Sequence, residues 1–200
     1  MRDTFFIVIL FIFSTIAAFS QSNWTLKKDE KGVKVYTASV PESKVKSFKA
    51  VSIYKQPVEE VVAAILDYEN YPKWIDGVEK GRLIERINPN EFIIRQIVLL
   101  PFPFDNRESV QRIQVLNEPD GAVRIKISEA NDIAPALDGY VRMTITHGYW
   151  LVQPTIEGTK LTYSFIADPG ENIPAWLINS FIVSQPYNSL RQLRSYLAEN

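Results

Sequence analysis

The last forty residues constrain this chain more than any other stretch. Leu161-Thr162-Tyr163-Ser164-Phe165-Ile166-Ala167 reads as a strand, and Asp168-Pro169-Gly170-Glu171-Asn172 breaks it with turn residues. A long apolar helical segment then starts at Ile173-Pro174-Ala175-Trp176. Trp176, Leu177, Ile178, Phe181, Ile182 and Val183 wrap around its first half, whereas Leu190, Leu193 and Leu197 form one stripe in its second half, with Arg191 and Arg194 facing away. A helix apolar on nearly every side must be covered on all sides or touch lipid. Pro186 lies between the halves and removes one helical hydrogen bond, so a kink or loosening is expected there. The rest of the chain has to supply the cover. A curved sheet gripping one helix does so and encloses an apolar cavity, which favours binding a hydrophobic ligand over breaking bonds.

The preceding residues have the patterns such a sheet needs. The stretch from Trp24 to Tyr36 is a lead-in whose end, Val33-Lys34-Val35-Tyr36, alternates like a strand, and residues 46–54 read as another. Val58, Val61, Val62, Ile65 and Leu66 then recur at helical spacing behind Pro57, a residue suited to a first helical turn. Residues 68–75 read as a short helix or turn. Strands are expected over 79–87, 91–100, 107–116, 122–130, 140–152 and 160–167, separated mostly by short breaks rich in Asn, Pro, Asp and Gly. Val123, Ile125 and Ile127 alternate with Arg124, Lys126 and Ser128, and Leu161, Tyr163 and Phe165 with Lys160, Thr162 and Ser164. The apolar set of each strand is expected to face inward. No repeat or linker divides the chain.

Composition narrows the function. Residues 1–20 resemble a secretory leader: Arg2 precedes a continuous apolar run from Phe5 to Phe13, and Ala18-Phe19-Ser20 suits cleavage before Gln21. The run is short for a membrane span, which needs roughly 20 residues. The expected organisation is a leader over 1–20 and one domain over 21–200, exported to a periplasm or to the outside. The chain has no cysteine, which removes disulfides, thiol catalysis and cysteine-ligated metals. Net charge is −1, so a nucleic-acid partner is not expected.

Chemistry-bearing residues are sparse. His147 is the single histidine, so it cannot build a multi-histidine metal site. It falls in phase with Met143 and Ile145 and reads as a wall residue. No nucleophile elbow, phosphate-binding glycine loop or zinc-protease helix is present. No catalytic residue, metal or cofactor is expected. Arg107 opens a strand beside the apolar Pro101-Phe102-Pro103-Phe104 loop. Paired with a carboxylate, it could hold a ligand's polar group or close the end of the sheet. Phe102 and Phe104 could touch a bilayer or ligand during exchange, or pack on the terminal helix.

Four segments, in this order, resemble the START domain family, the steroidogenic-acute-regulatory-related lipid-transfer proteins. They are the opening from Trp24 to Tyr36, Asp67-Tyr68-Glu69-Asn70-Tyr71-Pro72-Lys73-Trp74, the loop and arginine from Pro101 to Arg107, and the closing strand and helix from Leu161 to Leu197. The resemblance implies an α+β helix-grip fold, a curved antiparallel sheet wrapped around a long C-terminal helix that encloses a lipid cavity. It implies a gate formed by residues 100–106 and the start of the terminal helix, with Leu100, Phe102, Phe104 and Leu177 in it. The family's buried arginine carries over to Arg107. Its acidic partner is open between Glu91 and Glu129, and Glu129 is preferred because it is in phase with Ile125 and Ile127. The expected pocket is lined by Ile125, Met143, Ile145, His147, Tyr163, Phe165, Trp176 and Phe181. The expected function is non-covalent lipid binding by a monomer with transient membrane contact. A polyketide cyclase or aromatase using the same cavity is an alternative class, with Arg107, His147 and Tyr163 as its polar set, and so is a ligand-sensing interaction module.

Overall fold

The computed structural model describes residues 23–40, 45–170 and 173–199, apart from the side chains of Ile145 and Ala175. The leader over 1–20 lies outside the described residues. In chain order the elements are strands β1 (Thr25–Glu30), β2 (Val33–Ser39) and β3 (Lys46–Tyr54), helix α1 (Val58–Leu66), a 3₁₀ helix (Tyr68–Lys73), strands β4 (Val78–Asn88), β5 (Glu91–Val98), β6 (Arg107–Asn117), β7 (Val123–Glu129), β8 (Val141–Arg142), β9 (Ile145–Thr155) and β10 (Gly158–Asp168), and helix α2 (Ala175–Glu199). Among the described residues the strands form one sheet in the order β1-β2-β3-β10-β9-β7-β6-β5-β4. Neighbours on this path are antiparallel, while the short β8 adds parallel to β6. Inserting β10 and β9 between β3 and β7 sends the chain from β3 to the far edge strand β4, with α1 and the 3₁₀ helix making the connection.

The terminal helix lies against β1, β2 and β3. Its second half is pinned by the stripe seen in the sequence, since Leu190 and Leu193 are fully buried and Tyr187 and Leu197 nearly so. Polar clamps fix its register. Tyr54 Oη donates to the Leu190 carbonyl at 2.8 Å, and Gln56 Nε2 donates to the Leu197 carbonyl at 3.1 Å. Asn188 Nδ2 donates to Asp76 Oδ2 at 2.8 Å, and the Asp76 amide donates to Ser189 Oγ at 3.0 Å. Arg194 does not face away as expected: it reaches the β1–β2 hairpin, donating to the Lys31 carbonyl at 2.9 Å and to Ser52 Oγ at 2.7 Å.

Other expectations need correction. The lead-in contains a whole strand, β1, joined to β2 by Lys31 and Gly32 at φ 49° and 74°. Positive φ at both positions is what a two-residue hairpin turn with the strands' own twist requires. The helix runs unbroken through Pro186, although that residue leaves the Ile182 carbonyl without its helical donor. Its first half is not covered on all sides, because Trp176 is 69% exposed and Asn179 and Ser180 are also exposed. Residues 140–152 are two strands, because the chain leaves β6 after Arg142 and takes a new partner, β10, at Ile145. That change of partner breaks the alternation on which the phase of His147 depended.

The outer face of the sheet has its own small core of Ile93, Val110 and Ala130, covered by Ala134. Glu108 is fully buried there. Its Oε1 accepts from Arg142 Nε at 3.0 Å, Arg142 Nη2 at 2.9 Å and the Leu137 amide at 2.8 Å, while its Oε2 lies 3.2 Å from Arg95 Nε. Both arginines also donate to the covering loop, Arg142 to the carbonyls of Asn131 and Ala134, and Arg95 to that of Pro135. One carboxylate thereby ties residues 131–142 onto the sheet.

Removing that carboxylate leaves two guanidinium groups uncompensated in a mostly buried site. Glu108→Ala is expected to cost about 3–5 kcal/mol in urea unfolding; a loss under about 1 kcal/mol would contradict this role. Burial also pushes the Tyr54 and Tyr71 phenols well above their usual range, with Arg194 opposing the effect at Tyr54. The unfolded chain loses these protons first, from about pH 10. Their contribution is therefore complete below about pH 10 and lost as the pH climbs toward the folded-state values. Urea midpoints measured between pH 8 and 11 should fall steeply above pH 10, and less steeply in Tyr54→Phe; equal slopes would contradict this assignment.

Candidate functional site

The first half of α2 stands over a cavity of about 140 Å³. Each wall follows from strand alternation or helix phase. On β6, Arg107, Ser109 and Gln111 point into the cavity, while Glu108 and Val110 point to the outer core. Gln96 and Val98 of β5 continue this wall, and Tyr163, Phe165 and Ala167 of β10 form another. The roof is Ile178, Phe181, Ile182 and Gln185 of α2. Leu100, Met143, Pro169 and Ile173 ring the end nearest the loops. Gly148 lets β9 and β10 approach: a Cβ there would lie 2.2 Å from the Ser164 carbonyl oxygen and 2.7 Å from the Phe165 ring.

Tyr163 forms part of the floor. Its ring stacks on Trp150 at 3.6 Å and meets Phe48 edge-on at 4.8 Å. Desolvation pushes its phenol well above the usual range, so it is neutral at physiological pH. The polar wall is linked within itself, with Gln111 Nε2 donating to Ser109 Oγ at 2.9 Å and to Gln96 Oε1 at 3.2 Å. These bonds keep a mostly apolar surface toward the cavity.

Arg107 is almost fully buried at the mouth. Its Nε donates to the Pro169 carbonyl at 2.6 Å, and its Nη1 donates to the Asp105 carbonyl. Burial pulls its pKa down, and the Asp105 charge opposes that shift. The guanidinium thus spans two loops, residues 99–106 before β6 and the turn between β10 and α2. The first loop is braced by the Leu99 amide on the Gly77 carbonyl at 2.8 Å and the Leu100 amide on Asn106 Oδ1 at 3.1 Å. Its tip, Phe102, is 96% exposed, whereas Phe104 is half-buried.

Of the residues expected in the pocket, Arg107, Met143, Tyr163, Phe165 and Phe181 line the cavity, as does Leu100 of the expected gate. Leu177 is buried at the start of α2, outside the cavity wall. The side chain of Ile145 lies outside the described residues. Ile125 faces inward but is core, opposite Trp150 in register, where aromatic rings fill the space. Glu129 is exposed at the end of β7 and is absent from the cavity wall, because β7 outruns the β9 partner that could cover it. Glu91, the other candidate acid, pairs with Arg112 instead. The buried carboxylate of this region is Glu108, on the opposite face from Arg107. His147 is exposed, on the other face of β9 from buried Thr146 and Trp150, and Trp176 is also exposed. The sequence reading missed Gln96, Ser109, Gln111 and Gln185. Alternating polar residues beginning at Arg107 are a usable signal, because strand parity carries Ser109 and Gln111 to the face of Arg107. Among the described residues no His, Asp or Glu cluster could hold a metal ion.

A family model described as START domain matches residues 12–200. The uncharacterized protein PA1579 of Pseudomonas aeruginosa is 34% identical over 174 residues, covering 86% of each chain. The bovine phosphatidylcholine transfer protein is 23% identical over 168 residues, covering 81% of this chain and 78% of that one. The crystal structure of a STAR-related lipid transfer protein fragment from Xanthomonas axonopodis superposes with a TM-score of 0.82 at 30% identity, covering 88% of this chain and 99% of that one. With its curved sheet, its gripping terminal helix and a family match over nearly its whole length, this chain belongs to the START domain family.

Proposed function

We propose that this protein binds a lipid or similar hydrophobic molecule non-covalently in the cavity under α2 and carries it between membranes. One observation carries the reading: the sheet and the first half of α2 leave a half-open, mostly apolar pocket between them. Apolar lining with a few polar groups suits affinity without catalysis. The names of two relatives, a STAR-related lipid transfer protein and a phosphatidylcholine transfer protein, support it. The cyclase alternative is not favoured, because His147 is exposed while Arg107 and Tyr163 line the cavity, so that polar set does not converge.

The exchange step follows from the mouth. Arg107 holds the 99–106 loop and the turn before α2 together, so releasing its two carbonyl contacts lets them part. Phe102 on the loop and Trp176 at the start of α2, both exposed, enter the bilayer surface first. The leader over 1–20 directs export, and the working location is the periplasm or the outside of the cell, where the protein acts as a monomer.

Incubation with a total lipid extract followed by native mass spectrometry should give a one-to-one adduct. Ala167→Phe, which places a ring in the cavity, should abolish the adduct while leaving the circular dichroism spectrum unchanged. An empty wild-type protein, beside a carrier that loads, would contradict the reading. Phe102→Asp combined with Trp176→Asp should slow lipid transfer between vesicles about tenfold or more, with the one-to-one adduct retained; an unchanged rate would move the gate elsewhere.

A further inference from the structure

We infer that the ligand is a single-chain or single-ring amphiphile rather than a two-chain lipid; this rests on the reading of the cavity as a ligand site. The interior of the grip is already occupied over most of its length. Behind the Tyr163 floor, Trp150 stacks within 8° of parallel, Trp74 meets Trp150 at 5.8 Å, and Tyr71 meets Trp74 at 5.5 Å. Trp74 and Trp150 are essentially inaccessible, and Tyr71 is locked by donating to the Ile65 carbonyl at 2.7 Å. A close-packed column of rings does not yield space to a ligand without a large rearrangement. Beyond it, the second half of α2 packs directly on the sheet through Tyr187, Leu190 and Leu193.

What remains is a half-open pocket of about 140 Å³ at the loop end. An engineered apolar cavity of about 150 Å³ takes up benzene. The space therefore holds one ring or about six carbons of one chain, and a second chain has no room beside the first. Gln96, Ser109 and Gln111 form an uncharged polar wall bonded largely within itself, Arg107 and Asp76 are the charged lining residues, and Phe165, Phe181 and Ile182 are apolar. Tyr163, only 7% exposed, adds a phenol to the lining. A compact molecule with a hydroxyl or carbonyl beside its hydrocarbon matches these walls better than bare acyl chains do.

The test uses the purified protein with monoacylglycerols of increasing chain length and with the matching diacylglycerols, read by calorimetry. Monoacylglycerol affinity should rise about fourfold per methylene through about six buried carbons and then level off, with each diacylglycerol at least tenfold weaker. A diacylglycerol that binds as tightly as its single-chain counterpart, or a two-chain lipid as the adduct drawn from a total extract, would overturn the inference and leave the ligand-binding reading standing. A protein that takes up neither series and stays empty in the extract would overturn both. Tyr163→Phe supplies the readout for the polar contact: weaker monoacylglycerol binding with an unchanged chain-length limit is expected, and unchanged affinity would remove the hydroxyl from the site.

Discussion

The terminal helix carries more apolar surface than the sheet covers. Leu190, Leu193 and Tyr187 bury the second half, and the Tyr54 hydroxyl fixes the register by donating to the Leu190 carbonyl at 2.8 Å. The first half lies over the cavity, which Ile178, Phe181, Ile182 and Gln185 line. Burial of the stripe is the dominant favourable term, roughly 1.5–3 kcal/mol for each large apolar side chain. It anchors one end of the helix, and in the proposed function the other end takes part in ligand exchange. Stability and cavity thus come from the same element, divided near Pro186.

A second constraint acts at Arg107 and Glu108. These neighbours in sequence point to opposite faces of β6, and both are buried. The arginine clasps two loops across the mouth through backbone carbonyls. The glutamate gathers Arg95, Arg142 and the Leu137 amide on the outer face and thereby holds the loop that leads into β8 and Met143. Met143 lines the cavity, so the outer cluster positions part of the mouth from behind the sheet. Charges are costly to bury unless paired, which explains why each is surrounded by groups of the opposite sense.

The helix-grip architecture could be read from the alternating strands and the change of character along the terminal helix, because those signals are local and periodic. Tyr163, Phe165 and Phe181 line the cavity on strand and helix faces that the same periodicity marks. The misplacements share one cause. Ile125 and Glu129 were put in the pocket by parity alone, but parity gives the face of a strand and not what covers it, and aromatic rings occupy the space above Ile125. His147 was put there by extending one alternation across Thr144, where the chain exchanges β6 for β10 as its partner. The β1 strand was missed because its side chains are mostly exposed and charged, so only the Lys31-Gly32 turn marked it.

In the proposed function one chain or ring lies between β6, β10 and the first half of α2. The most direct measurement is anomalous diffraction from crystals grown with a single-chain amphiphile that carries bromine on its terminal carbon. One bromine peak is expected inside the cavity, against Tyr163, Phe165 and Phe181, with the polar end toward the Leu100 and Pro169 mouth. A peak confined to the outer surface, or to the exposed Phe102 and Trp176 side chains with the cavity unchanged, would contradict it.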